Sequence, residues 1–139
     1  MREIKFRGKS LDNGEWVCGD YHIRAGNVHT IIAMEPDKYG KVFYAVNQVI
    51  PDTIGQFTGL HDKNGQEIYE GDIVKTILHD SRRQLFFKVF YSMDYCGFEL
   101  QEYGRYSGGY LWNFDDFDEG SLIIIGNIHD NPELLKQND

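Results

Sequence analysis

Apolar and polar residues alternate with a period of two through most of this chain, the period of a half-buried β-strand. From Ile4 to Ile23 the alternation folds back on itself around Asn13-Gly14. That dipeptide suits a two-residue type I′ turn, in which both central residues need positive φ. Pairing around it sets Ile4 opposite Ile23, Phe6 opposite Tyr21, Gly8 opposite Gly19 and Ser10 opposite Val17. On the other face Glu3 meets Arg24, Lys5 meets His22, Arg7 meets Asp20 and Leu11 meets Trp16. One face is mostly apolar and the other pairs opposite charges twice. A slip of one residue would mix the two faces, so the register is specified.

Further strands are expected over Val28 to Ala33 and Lys41 to Val46, joined by a stretch rich in turn formers. The segment Asn47 to Asp52 holds Pro51, which removes a ladder donor and marks a crossover or an edge. A module boundary is expected there. Asn64-Gly65 marks another turn. A three-residue loop with Gly65 in the left-handed position sets Leu60 opposite Ile68. Gly71-Asp72 turns the chain before a strand from Ile73 to Leu78. Gln84 to Ser92 carries Phe, Val and Tyr on both faces, as in a central or barrel strand. Gly97 to Gln101 and Ser121 to Ile125 complete the set. Tyr103 to Gly120 reads as a long surface loop. Helix is scarce. Asn131-Pro132-Glu133 offers an N-cap, a first-turn proline and an early acid, and predicts a short C-terminal helix from Pro132 to about Gln137.

Composition narrows the class. The chain has 139 residues, 41% of them hydrophobic and 14% aromatic, which is far too apolar for a disordered segment. The longest apolar runs are about five residues, such as Val42 to Val46, against the ~20 that a membrane span needs. The N-terminus has no continuous apolar stretch of signal-peptide type, so a cytoplasmic protein is expected. Cys18 and Cys96 form no CxxC spacing and are expected as reduced, part-buried thiols. The net charge is -8. Residues 1–75 hold 9 basic and 11 acidic side chains, whereas residues 76–139 hold 5 and 11. An acidic second half disfavours broad binding to nucleic-acid phosphates.

Few residues gather in patterns that carry chemistry. His22, His29, His61, His79 and His129 make no HxH or HExxH spacing, so no metal or cofactor is expected. Asp115, Asp116, Asp118 and Glu119 lack the alternating ligands and central glycine of a calcium loop, and read first as a solvated acidic loop, with docking of a basic partner or metal binding as the lesser alternatives. Gly8-Lys9-Ser10 lacks the upstream glycine of a phosphate loop. Neither cysteine has a local nucleophile signature. Arg82 and Arg83 beside Phe86, and Arg105 between Tyr103 and Tyr106, are the candidates for nucleic-acid contact, since single strands stack on aromatics flanked by cations.

Three segments are specific. They are Phe57 to Val74 (FTGLHDKNGQEIYEGDIV), Ile4 to Lys9 followed by Gly14 to Asp20, and Ile124 to Leu135 (IIGNIHDNPELL). Together they resemble the YopX family of phage and prophage proteins across nearly the whole chain. The resemblance implies an SH3-like β-barrel in the C-terminal part, with no established enzymatic activity and no agreed catalytic residues.

The expected fold is therefore mainly β. An N-terminal hairpin module, residues 1–52, packs on an SH3-like barrel domain with a C-terminal helix, residues 53–139. The expected function is that of a non-enzymatic phage accessory protein acting through protein contacts, itself a homo-oligomer and without membrane attachment. A nucleic-acid-binding module is the alternative.

Overall fold

The computed structural model describes residues 1–104, 111–118 and 120–136. The chain forms two compact units, Met1–Phe57 and Thr58–Asp139. Both are built of antiparallel sheet, as the two-residue period requires.

In the first unit the strands are β1 (Phe6–Lys9), β2 (Trp16–Arg24), β3 (Val28–Pro36), β4 (Val42–Gln48) and the start of β5 (Gly55–His61). Their order is β4-β3-β2-β1-β5. The first hairpin exists, but its register differs by two residues from the expected one. Phe6 faces Gly19 and Lys9 faces Trp16. The loop spans four residues, because Ser10 N–H donates to the Glu15 carbonyl at 2.8 Å. The Asn13 side chain causes this. Its Oδ1 accepts the Glu15 N–H at 2.9 Å, a local bond that competes with the tight type I′ turn. A shift of two keeps each residue on its face, so the apolar pattern is satisfied either way. The charge pairs are not kept. Arg7 faces Cys18 instead of Asp20, and its guanidinium lies 4.6 Å from the centre of the Trp16 ring.

The second half of β2 leaves β1 and pairs with β3, from Asp20↔Ile32 to Arg24↔Val28. Gly19 makes the exchange possible. A Cβ placed there would stand 2.1 Å from the Ile32 carbonyl oxygen, so only glycine fits. Ser10 bridges to Val49 rather than Val17. Ile31, Ala33, Val49 and Phe57 are the buried apolar residues of this unit.

The second unit takes the rest of β5 and β6 (Glu67–Tyr69), then β7 (Asp72–Ile77), β8 (Gln84–Ser92), β9 (Gly97–Tyr103), β10 (Leu111–Trp112) and β11 (Ile123–Asn127). The β5–β6 loop is as expected. Asp62 N–H donates to the Gln66 carbonyl, which closes three residues with Gly65 at φ +80°. The last five strands form a sheet in the order β10-β9-β8-β7-β11. Its core gathers Ile68, Val74, Leu85, Phe87, Val89, Leu100 and Leu122, with Trp112, Phe114 and Phe117 packed against it.

Two expectations are corrected. The sheet does not close as a barrel. β10 has only two residues, and the residue entering β11 receives a turn instead of a strand: Lys63 N–H donates to the Leu122 carbonyl at 2.8 Å. The C-terminal helix is only a 3-10 turn, Pro132–Leu135. Asn131 does not cap it. Its Oδ1 accepts the Asn127 N–H at 3.3 Å, back toward β11. A helix start without its side-chain cap leaves backbone donors unsatisfied. Gln137 lies outside the described residues.

Candidate functional site

The β5–β6 loop and β11 are joined by one carboxylate. Asp62 is 4% exposed, and its Oδ1 accepts the N–H groups of Asn64 and Gln66 at 2.8 and 2.9 Å. Its Oδ2 accepts the Ile124 N–H at 3.1 Å. The short side chain of Asp, at the start of a tight loop, is what reaches the loop's own amides. Two clefts lie near this joint, and Asp118 and Gly120 line both. The larger, about 510 Å³, is lined by Lys63, Lys75, His79, Asp118, Ser121 and Ile123, among others. The smaller, about 320 Å³, is lined by His61, Ile68, Phe114, Asp115, Asp118 and Leu122, among others. Both volumes fall in the range of small-molecule sites.

Among the described residues lining the larger cleft, Lys63, Lys75 and His79 stand with one acid, Asp118. Lys75 is half-buried on β7, and its cross-strand neighbours are Phe86 and Ile123, not carboxylates. Ser121 Oγ is buried without a hydrogen-bond partner among the described residues. On the next strands Phe86 and Tyr103 face each other with ring centres 6.0 Å apart. The Tyr103 hydroxyl is buried and unpartnered, and burial pushes its pKa up to about 12.

The residues named from sequence are dispersed. Arg83 donates to Glu102 Oε1 at 3.2 Å, and the same buried carboxylate accepts Trp112 Nε1–H at 2.8 Å. Arg82 sits in the exposed β7–β8 turn with φ +53°. Arg105 and Glu119 lie outside the described residues. Asp116 Oδ2 accepts the Asn113 N–H at 2.7 Å and so holds the 3-10 turn Phe114–Asp116. Asp115 and Asp118 line clefts. Cys18 and Cys96 are free thiols, and both are exposed rather than part-buried. Cys96 takes a left-handed turn position, which keeps it off the sheet core. His29 is hydrogen-bonded to the Tyr21 hydroxyl. Among the described residues no three His, Cys, Asp or Glu side chains gather as metal ligands would. No described helix is long and apolar enough to cross a membrane.

A second surface stands out in the first unit. β4 is an edge strand, and its partners on β3 are fixed as Pro36↔Val42, Met34↔Tyr44 and Ile32↔Val46. This ladder is uncovered: Tyr44 is 71% exposed, Met34 66%, Val46 56% and Val42 53%. Asp37 N–H donates to the Lys41 carbonyl, so odd-numbered residues of β4 bond to β3. The N–H and C=O groups of Val42, Tyr44 and Val46 therefore point away from the sheet, whereas the Gln48 carbonyl accepts the Leu11 N–H at 2.8 Å. The signal was in the sequence, since Val42 to Val46 is an unbroken apolar run. Its place at an edge was not. Lys75 and Ser121 have no local chemical signature, and Lys63, although inside the specific segment Phe57 to Val74, has none either, because the cleft joins three separated segments.

The arrangement defines a class: an open, two-unit antiparallel β protein with clefts beside β7 and an unpaired apolar edge on β4. The chain matches the YopX protein family over residues 5–136, and it belongs to that family. The crystal structure of protein EF1440 from Enterococcus faecalis is similar in fold, with a TM-score of 0.56 and 22% identity, covering 97% of this chain and 99% of that one. A search of curated proteins gave no match.

Proposed function

We propose that this protein is a non-enzymatic accessory protein of phage or prophage origin, acting in the bacterial cytoplasm through protein contacts made by the β3–β4 hairpin. The uncovered apolar ladder beside an unpaired edge carries the reading. A flat apolar edge is a pairing hazard that folded proteins blunt with charge, proline or a cover. Here Val42 to Gln48 holds no charged residue. Retained exposure of this kind marks a binding surface. Addition of a strand to such an edge supplies main-chain bonds for affinity, and alternate side chains supply specificity.

The first partner is a second copy of the chain. Two β4 strands pairing antiparallel about a two-fold axis oppose no like charges, although the chain as a whole carries -8. The outward groups fall on even-numbered residues, so a symmetric register is available. Light scattering over a range of concentrations tests this. A mass of two chains that drops to one in Tyr44→Lys and Val46→Lys is expected. A mass of one chain at every concentration removes the self-association.

Contact with nucleic acid has one observation in its favour. Lys75, Phe86 and Tyr103 form a row across β7, β8 and β9, and Lys88 lies next to Phe86 on the same face by alternation. Salt-sensitive binding of a single-stranded oligonucleotide, lost in Phe86→Ala, would support it. No binding at low salt would end it.

A further inference from the structure

The geometry points to the cleft beside β7 as a binding site for a phosphate ester with a hydroxyl-bearing organic part, such as a nucleoside monophosphate or a sugar phosphate. It is separate from the β4 edge and does not depend on that edge having a partner. Lys63, Lys75 and His79 line it against one described acid, Asp118. Neither lysine has an ion pair among the described residues. Lys75 is half-buried with apolar cross-strand neighbours and Lys63 is exposed, so no protein carboxylate on the adjoining strands neutralises Lys75, and an anionic ligand would supply that counter-charge.

The positions fit phosphate better than carboxylate. A phosphate offers three terminal oxygens, enough for two ammonium groups and one hydroxyl at once. Lys63 is set in place by its own backbone, because its N–H holds the Leu122 carbonyl at 2.8 Å. Lys75 is set by β7, with Thr76 buried beside it. Ser121 brings the third donor, a buried hydroxyl that bonds to no described group. Ile77 and Ile123 give the cleft an apolar wall for the organic part. Asp118 repels a bare anion but accepts a hydrogen bond from a sugar hydroxyl. That pairing selects an ester over free phosphate.

Full-length protein titrated at low salt with inorganic phosphate, a nucleoside 5′-monophosphate and a single-stranded oligonucleotide tests the site, read by calorimetry and amide chemical shifts. The monophosphate should bind and shift amides of Lys63, Lys75 and Ser121. Lys75→Gln and Lys63→Gln should each weaken it about tenfold, the loss of one charge-assisted contact. Lys75→Arg should restore most of the affinity, which separates loss of charge from loss of fold. Asp118→Asn should narrow the preference for the ester over inorganic phosphate. Stronger binding of the oligonucleotide, with the same Lys75 dependence, would assign the phosphate to a nucleic-acid backbone. No binding of any of the three at millimolar concentration overturns the proposal. So does affinity unchanged in a folded Lys75→Gln protein.

Discussion

The two units use the same alternation to opposite ends. In the first, apolar side chains of the β3–β4 ladder stand in solvent, while the cations of β1 lie over an indole. In the second, apolar side chains fill a core, and Asp62, Asp72, Glu99 and Glu102 are buried with them. The difference teaches that side-chain type alone does not say what a strand does here. Position does. An edge strand has no neighbour to cover its apolar face. An acid beside a tight loop has backbone amides to accept from, and hydrogen bonding to the charged form offsets its burial. The acidity of the second unit is thus partly internal structure and not only a surface field.

The largest expected effect tests that internal role. Asp62→Ala removes the acceptor of three backbone N–H groups and should destabilise the second unit by about 3–5 kcal/mol, as loss of a buried charged network does. Chemical denaturation measures it. Asp62→Asn keeps one carbonyl oxygen and should fall between. A loss under about 1 kcal/mol in Asp62→Ala would place this acid with ordinary surface residues. Next comes Glu102→Ala, which leaves the Trp112 indole N–H and Arg83 without their partner. About 2 kcal/mol is expected, the cost of stranding partly buried donors. Arg83→Ala should cost less, because the guanidinium side of that pair is half-exposed.

These residues also mark what the sequence could and could not say. Most strand positions in the second unit were legible, and Gln84 to Ser92 is both the expected and the observed β8, but β10 and the core-packed Trp112, Phe114 and Phe117 fall in the stretch read as a surface loop. Continuous aromatic and β-branched content defines such a strand locally. The Asn64-Gly65 loop was legible for the same reason. The first hairpin was legible in its faces but not in its register, because a two-residue shift costs the pattern nothing and the Asn13 side chain chose the loop. Closure of the barrel was not legible. It depends on whether distant edges meet, and at β11 a turn from residues 62–66 arrives first. The cleft was illegible for the same physical cause, since Lys63, Lys75 and Ser121 converge only through that tertiary joint.

A smaller, pH-gated effect belongs to Tyr103. Its phenol is raised to about 12 by burial, against an ordinary value of 10.0 in the unfolded chain. Below pH 10 both states hold the proton, and this group leaves stability unchanged. Between pH 10 and 12 the unfolded chain releases the proton and the folded chain keeps it. Stability therefore falls as pH rises through that window. Tyr103→Phe should lose less stability between pH 9 and pH 11 than the parent protein. Equal losses in thermal unfolding at those two pH values would show the hydroxyl to be hydrated.

The smallest expected change in stability is the most informative about the first unit. Tyr44→Lys and Val46→Lys place charge on an edge strand at side chains already more than half exposed. Surface substitutions of this kind lie within about 0.5 kcal/mol of neutral. Both folds should hold, with unfolding midpoints near the parent's. Association should nevertheless be lost, because an inserted lysine blocks strand addition at a free edge. Asp62→Ala would show the reverse: large instability, with pairing at β4 intact in whatever remains folded. If instead Tyr44→Lys unfolds the first unit, then the ladder contributes to its stability. Its exposure in the single chain would then describe a surface that folding leaves incomplete until a second strand is bound.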